Sequence, residues 1–240
     1  MNIMITGGSK GIGLAIAKTI ALQKDQKHAM GICGRNEAEL QKADLELRSI
    51  TPLHEFLVMK CDVSIEDDVT SFVEKFEEKF GAIDVLVNNA GFGIFKPVLE
   101  TTKQDFESVL GANLRGVFLL SRAVLPKMRL KKSGTIITIS SLAGKNGFAG
   151  ATAYCASKFA VRGFMQCLFL EVRTDNIRCV TICPGSVDTD FFTTDSSISA
   201  MKSKKALSAQ DVADAVELTI RMPQNADISE IDLRPTNPKG

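Results

Sequence analysis

The sequence predicts an α/β protein built on a doubly wound, seven-stranded parallel sheet with helices on both faces. Short apolar runs typical of β-strands alternate with longer segments in which apolar residues recur at helical spacing, as βαβ units require. A glycine-rich turn lies directly between the first run and the first helical segment. No repeat, low-complexity tract or Gly/Ser/Pro-rich linker divides the 240 residues. We therefore predict a single domain over residues 1–240.

Seven strands are predicted, enough for a sheet covered on both faces. They are Asn2–Thr6, Ala29–Cys33, Glu55–Cys61, Ile83–Val87, Gly134–Ser140, Ile177–Cys183 and Ile228–Leu233. Six helices alternate with them: Ile12–Leu22, Glu37–Ser49, Asp67–Phe80, Lys103–Leu130, Thr152–Arg173 and Ala209–Arg221. Ser64 and Ser208 are each followed three residues later by an acid, which is the pattern of a helix N-cap.

Composition excludes several classes of protein. The apolar fraction is 45%, and a net charge of +1 offers no attraction for nucleic acid or an anionic membrane. No apolar run approaches the roughly 20 residues of a membrane span, and the start lacks a charged region followed by a long apolar stretch. We expect a cytoplasmic protein with neither of those partners.

The cysteines form no CxxC pair, and several lie in apolar runs. We expect reduced packing residues and no metal site. The six are Cys33, Cys61, Cys155, Cys167, Cys179 and Cys183.

The glycine-rich turn predicts a phosphate site. Residues 6–13 are Thr-Gly-Gly-Ser-Lys-Gly-Ile-Gly, and they follow the first strand and open the first helix. Glycines let the backbone approach a pyrophosphate, and the helix N-terminal amides then face the anion. A tight turn alone would also favour glycine. The position at the first βα junction favours a dinucleotide site on a Rossmann fold.

Four motifs resemble those of the short-chain dehydrogenase/reductase family, in the family's order and over essentially the whole chain. They are TGxxxGxG at 6–13, NNAG at 88–91, YxxxK at 154–158 and PGxVxT at 184–189. The resemblance implies an oxidoreductase that transfers a hydride between a nicotinamide cofactor and a carbonyl or secondary alcohol.

Tyr154, the only tyrosine, stands four residues before Lys158, so both side chains share one helix face. An ammonium roughly 5 Å from the phenol, at an effective dielectric near 20, contributes about 3 kcal/mol, or about two pKa units. We expect Lys158 to lower the pKa of Tyr154 and so suit it for acid–base catalysis. Such a pair on its own is common on helices.

The resemblance supplies two further catalytic residues. Ser141, thirteen residues before Tyr154, matches the serine that holds the substrate carbonyl, and Ser140 is its neighbouring rival. Asn113 matches an asparagine that interrupts a long helix and holds a water linked to Lys158. Otherwise a mid-helix asparagine usually faces solvent.

NADP(H) is favoured over NAD(H). The second strand ends without the acid that would bind both ribose hydroxyls, and Arg35 stands there instead. Together with Lys10 of the glycine turn it could bind a 2′-phosphate. The alternative is that both are solvated surface cations.

The resemblance implies the remaining cofactor contacts. Asp62 could instead begin the turn into Ser64, and the Asn89–Gly91 segment could serve structure as much as binding. The set is Gly7, Ser9, Gly11, Ile12, Gly13, Asp62, Val63, Asn89, Ala90, Gly91, Tyr154, Lys158, Pro184, Gly185, Val187 and Thr189.

The segment Asp188–Leu207 lacks clear periodicity and is predicted to be a flap over the site, or else a solvated loop. Candidate substrates are ketones on acyl thioesters or on pteridine side chains. The ending Ile231–Thr236 lacks the glycines of many ketoacyl-carrier-protein reductases and is similar to sepiapterin-reductase-like members. The resemblance also suggests a homodimer or homotetramer.

Two rival functions remain. One is a dinucleotide-sensing or regulatory protein without turnover, which the complete set of catalytic residues disfavours. The other is a family epimerase or dehydratase, which the short chain disfavours.

Overall fold

Seven parallel strands form one sheet in the computed structural model, which describes residues 1–189 and 206–236. The order across the sheet is β3-β2-β1-β4-β5-β6-β7, and every neighbouring pair is parallel. The strands are β1 (Asn2–Thr6), β2 (Ala29–Gly34), β3 (Glu55–Lys60), β4 (Val85–Asn88), β5 (Gly134–Ile139), β6 (Ile177–Pro184) and β7 (Glu230–Leu233). The predicted sheet is confirmed. Its boundaries shift by one or two residues, most at β4 and β7, which begin later than expected.

Helices cover both faces of the sheet. Those of the described residues are α1 (Gly11–Ala21), α2 (Glu37–Ile50), α3 (Glu66–Phe80), α4 (Lys103–Leu110), α5 (Gly116–Lys131), α6 (Thr152–Val172) and α7 (Ala209–Arg221). Successive strand residues point to opposite faces, so Ile3 and Ile5 pack with α1, α2 and α7, whereas Met4 packs with α3, α5 and α6. The result is two apolar layers separated by the sheet.

The helix that apolar periodicity predicts over Lys103–Leu130 is not continuous, and its interruption at Asn113 is the one that the family resemblance implies. A turn of π-helix at Gly111–Arg115 separates α4 from α5. Such a turn carries one extra residue and often occurs at functional sites. The side chain of Asn113 within it bonds to the backbone of Phe92, a contact across 21 residues that helical periodicity does not reveal.

The whole stretch Lys103–Lys131 has 29 residues and a window of mean hydropathy 1.3, enough by length and composition to cross a bilayer. Just over half of that window, 56%, is instead buried within the protein, and Leu120, Val124 and Met128 are at most 1% exposed. Burial in a protein core accounts for the same hydropathy.

One of the two predicted N-caps is confirmed. Ser208 caps α7, and the Asp211 side chain returns a bond to the Ser208 backbone. Ser64 does not cap α3, because its amide and hydroxyl both donate to Asp62 Oδ1, at 2.9 and 2.7 Å. The carboxylate outcompetes the helix terminus for this serine.

All six cysteines are free. Five of them are buried, as expected of packing residues. Cys167 is exposed on α6, so the packing role predicted for it is wrong.

The two histidines contact each other at the amino edge of the sheet, just before β2 and β3, with their ring planes tilted by 50°. Their ring centroids are 4.9 Å apart, and the His28 amide donates to His54 Nδ1 at 3.2 Å. His28 is fully buried, and this burial lowers its pKa to about 4. Burial lowers the pKa of His54 as well.

We predict that acid destabilises the fold through His28. Its folded pKa of about 4 lies below the unfolded value of 6.5, so the unfolded chain binds the proton more readily between these pH values. Stability is therefore present above pH 6.5 and is lost as pH falls. Urea denaturation should show about 2 kcal/mol less stability at pH 5 than at pH 7 from this group. His28→Gln should remove most of that difference, and an unchanged difference would contradict the assignment.

Candidate active site

A cleft of about 1030 Å³ lies at the carboxyl ends of the strands, where open α/β sheets bind ligands. It spans the point between β1 and β4 at which the strand order reverses. The predicted site residues that line it are Gly7, Ser9, Lys10, Gly11, Ile12, Arg35, Asp62, Val63, Asn89, Ala90, Gly91, Ser141, Tyr154, Lys158, Pro184, Gly185, Val187 and Thr189. Gly13 and Asn113 are absent from the cleft lining.

The glycine turn presents an open helix N-terminus. Gly7 and Gly11 have φ angles of 64° and 55°, in the left-handed region that favours glycine. Lys10, at the N-cap of α1, makes no side-chain bond to the helix, and the first turn contains no acid. Gly11 and Ile12 line the cleft, so the positive end of α1 is available to an anion there.

Gly13 and Asn89 hold the turn against the sheet. A side-chain carbon at Gly13 would lie 2.2 Å from Gly7 O, so only glycine fits. Asn89 Nδ2 donates to Thr6 O at 2.9 Å and to Gly7 O at 3.2 Å, tying the end of β4 to β1. The structural alternative is therefore observed for Asn89. Gly13 acts in packing and does not line the cleft.

Lys10 and Arg35, the two cations predicted to bind a phosphate, have different neighbours. Lys10 Nζ pairs with Glu39 Oε1 at 3.0 Å, and Arg35 lies 5.5 Å from the centre of the Phe92 ring. Lys10 thus has an acidic partner, Glu39, that the sequence analysis did not identify. Glu39 lies in the first turn of α2, beyond the strand end where an acid was sought. Asp62 accepts bonds from Ser64, as the turn alternative expected.

Tyr154 and Lys158 meet in a buried corner at the start of α6. Lys158 Nζ lies 5.8 Å from the centre of the Tyr154 ring and donates to Ile139 O at 2.9 Å. Burial lowers the pKa of Lys158 to about 8. Burial raises the pKa of Tyr154 to about 12, against a hydrogen bond with Ser141 that lowers it.

The expected lowering of the tyrosine pKa is therefore wrong for this structure. An effective dielectric near 20 describes a partly solvated pair, whereas both side chains are at least nine-tenths buried. Removing the phenolate from water outweighs the hydrogen bond from Ser141. At neutral pH the site holds a neutral phenol, which can donate a proton, beside a charged ammonium.

Ser141, and not Ser140, is hydrogen-bonded to the Tyr154 side chain in the cleft. Ser140 is 3% exposed, and its hydroxyl donates to Lys158 O at 3.3 Å. Ser141 starts the short 3₁₀ turn Leu142–Gly144 and hydrogen-bonds to the Tyr154 side chain. The choice of Ser141 by spacing agrees with this geometry.

Asn113 is buried, so the solvent-facing alternative is wrong. Its Oδ1 accepts from Phe92 N at 3.0 Å, and its Nδ2 donates to Phe92 O and to Ser157 Oγ, both at 2.9 Å. These bonds join the π turn to the segment after β4 and to α6. A water linking Asn113 to Lys158 stays a prediction.

A row of aromatic rings leads away from Tyr154, and the sequence analysis missed it. Phe95 lies 5.3 Å from Tyr154 between ring centres, and Phe148 lies 6.2 Å from Phe95. Two phenylalanines in the five residues 91–95 were the available signal.

An ion-pair network stabilises the turn after Ser141. Arg162 donates to Gly144 O at 2.8 Å and to Glu230 at 2.8 Å, while Lys145 pairs with both Glu230 and Asp232. Cys183, Glu230 and Asp232 present potential ligand atoms within 4.8 Å of one another. The two cations already compensate these carboxylates, so the geometry favours an ion-pair network over a metal site.

Only the ends of the predicted flap Asp188–Leu207 fall in the described part of the chain. Asp188 N donates to Leu207 O at 2.7 Å, and Leu207 N donates to Ser186 O at 2.9 Å. The two ends therefore meet at the cleft. Residues 190–205, which make up most of this prediction, lie outside the described residues.

A doubly wound sheet with an open helix N-terminus and a serine–tyrosine–lysine set at its carboxyl edge defines a nicotinamide-dependent dehydrogenase or reductase. The family model described as short chain dehydrogenase matches residues 1–199. The chain belongs to this family.

Known relatives cover nearly the whole chain. It is 33% identical over 240 residues to a sepiapterin reductase of Chlorobaculum tepidum, covering 98% of this chain and 96% of that protein. An alcohol dehydrogenase of Thermococcus sibiricus complexed with 5-hydroxy-NADP superposes with a TM-score of 0.86 at 29% identity, covering 98% and 96% of the two chains. A serine dehydrogenase complexed with NADP+, in its closed form, gives a TM-score of 0.88 at 28% identity, covering 99% and 96%.

We predict that Gly91→Ala disturbs the site through Asn113. A side-chain carbon at Gly91 would lie 2.7 Å from Asn113 Oδ1, which cannot retreat without losing its bond to Phe92 N. The free energy of unfolding in urea should fall by about 1 to 3 kcal/mol. Gly147→Ala is the matched control, since a carbon there meets no atom within 4 Å, and it should change stability by about 0.5 kcal/mol or less. Equal effects of the two substitutions would refute the role of this contact.

Proposed function

We propose that the protein is an NADP(H)-dependent carbonyl reductase or secondary-alcohol dehydrogenase with Tyr154 as its general acid and base. The observation that carries the proposal is the hydrogen-bonded pair of Ser141 and Tyr154 at the cleft, with the charged Lys158 buried beside the phenol ring. A catalytic acid needs its proton in place and a neighbour that stabilises the charge left behind.

The cleft residues fit the cofactor. The open N-terminus of α1 would bind the pyrophosphate, and Arg35 would pair with a 2′-phosphate, since no acid follows β2 directly. Lys158 would bind the nicotinamide ribose, and Val187 and Thr189 the carboxamide, as the family resemblance implies. The two structural neighbours complexed with NADP-type cofactors support this choice. When bound, the nicotinamide supplies or accepts the hydride.

Three side chains would carry the proton chemistry. Ser141 would hold the carbonyl oxygen by a hydrogen bond that strengthens as negative charge develops. Tyr154, protonated at neutral pH, would donate its proton to that oxygen. Lys158, charged below about pH 8, would stabilise the resulting phenolate. Asn113 would position the segment after β4 and, through a bound water, connect Lys158 to solvent.

The rival proposal is a dinucleotide sensor without turnover. Burying a lysine that donates one hydrogen bond, to Ile139 O, is costly, and a binding-only protein does not need it. A single domain over residues 1–240, a cytoplasmic location and a homodimer or homotetramer remain predictions. Oxidation of NADPH across a panel of ketones separates the enzyme from the sensor.

We predict that Tyr154→Phe lowers kcat for carbonyl reduction by roughly 10²-fold or more, because the ring remains and the proton is lost. NADPH binding, measured by its fluorescence, should stay close to wild type. Lys158→Ala should weaken cofactor binding and turnover together, because this residue is proposed to act in both.

The chain has one tyrosine and no tryptophan, so phenolate absorbance reports Tyr154 alone. Without cofactor the phenol should ionise near pH 12, not near pH 10 as in the unfolded chain.

Near-normal turnover of Tyr154→Phe would eliminate the mechanism while leaving the fold and cofactor proposals intact.

We predict that two neighbouring residues change cofactor affinity in opposite directions. Arg35→Ala should raise the Kd for NADPH more than that for NADH, because it removes the partner of the 2′-phosphate. Glu39→Gln should lower the Kd for NADPH by about 3- to 10-fold, because it removes a like charge and releases Lys10. Fluorescence titration of the wild type and both variants with NADPH and with NADH measures the six dissociation constants.

Equal losses of NADPH and NADH affinity in Arg35→Ala, or tighter wild-type binding of NADH, would argue against the NADP(H) assignment. A Glu39→Gln variant with unchanged NADPH affinity would show that the Lys10 ion pair does not oppose the phosphate.

A further inference from the structure

We infer that the substrates are uncharged compounds whose reacting carbonyl lies within one carbon of a flat aromatic ring. The inference rests on the proposed function and names the substrate class of the same site. It comes from the row of rings Tyr154, Phe95 and Phe148, and from the distribution of charge along the cleft.

The row leads from the catalytic hydroxyl towards the surface. Tyr154 is 8% exposed and Phe148 is 38% exposed, with Phe95 between them. The rings of Phe95 and Phe148 are nearly parallel, at 21°, whereas Phe95 and Tyr154 are tilted by 55°. All three side chains line the cleft, so a substrate ring entering towards Tyr154 would meet aromatic faces or edges.

Local backbone fixes the central ring of the row. A side-chain carbon at Gly93 would lie 2.6 Å from the Phe95 ring and 3.3 Å from Tyr154 Cδ2. Phe95 therefore packs over bare backbone, and it also contacts the buried cluster of Ala143, Ala151 and Tyr154. A ring held in one position offers a preformed surface, which lowers the entropic cost of binding a flat partner.

Charge divides the cleft into two ends. Lys10, Arg35, Glu39 and Asp62 line the phosphate end. Among the described residues at the aromatic end, the charged side chains that line the cleft are the buried Lys158 and the exposed Asp188.

The buried Lys158 donates to Ile139 O and stands beside the Tyr154 ring, so it is placed for the reacting group and not for a tail. Asp188 is an acid and adds no positive charge to this end. Lys145, beside this end, is paired with Glu230 and Asp232. In the described residues the aromatic end therefore offers apolar and aromatic contact, which favours a neutral ring over a phosphorylated carrier.

Phenylacetone and cyclohexylacetone test the inference, since they share one carbon skeleton and differ in the aromaticity of the ring. Wild-type kcat/KM with NADPH should favour phenylacetone by about 10-fold, mainly through KM, because one or two aromatic contacts contribute factors of this size. Phe95→Leu should reduce that ratio to about 2 or less. Phe118→Leu, on the exposed face of α5 and outside the cleft, should leave it unchanged.

Binding provides a readout that does not need turnover. With NADP+-saturated Tyr154→Phe protein, saturation-transfer NMR should detect the phenyl protons of phenylacetone, and the double variant with Phe95→Leu should lose the signal. Equal kcat/KM for the two ketones, or a ratio that survives Phe95→Leu, overturns the inference and leaves the proposed function standing. Preferred reduction of an anionic β-ketoacyl thioester also overturns it. If no carbonyl compound is reduced, the proposed function fails, and the NMR signal then decides on the ring site alone.

Discussion

Desolvation of one lysine and one tyrosine sets the protonation states of both groups in the candidate active site. In water a phenol and an ammonium differ little in pKa, but burial favours the neutral form of each group. Burial therefore raises the pKa of Tyr154 to about 12 and lowers the pKa of Lys158 to about 8. Near neutral pH both groups still carry their protons. The site accordingly holds a proton donor beside a cation that can stabilise its conjugate base.

Maintaining a buried lysine requires support from residues far apart in the chain. Its ammonium donates to the last residue of β5, and the turn after Ser141 packs so closely that a carbon at Gly144 would lie 2.7 Å from Lys158 O. Arg162, one helical turn further along α6, bonds to Gly144 O and to Glu230 of β7. The final strand thereby stabilises the position of the serine turn. Ion pairs that are partly buried and joined by hydrogen bonds can serve this positioning role.

Local patterns predicted much of the fold, and their failures have identifiable causes. The strands and most helices follow from apolar periodicity, and the Ser208 capping box follows from four consecutive residues. The Ser64 cap failed because the nearby Asp62 carboxylate binds the serine. Apolar periodicity predicted a continuous helix and did not show the π turn, in which Asn113 bonds to Phe92, far away in sequence. Local patterns describe each segment well until a competing hydrogen-bond partner is present, whether it lies nearby, like Asp62, or far along the chain, like Phe92.

Local patterns were enough to predict the succession of strands and helices along the chain and most of the predicted residues that line the cleft at the carboxyl edge of the sheet. Periodicity, glycine turns and motif spacing are local properties, and parallel strands bring their carboxyl ends together. Only the tertiary structure decided that Lys10 is paired with Glu39, that burial raises the pKa of Tyr154, and that Phe95 and Phe148 align with it. Charge pairing, desolvation and ring contacts depend on distances between side chains from different segments. Those distances exist only once the sheet and its helices have packed.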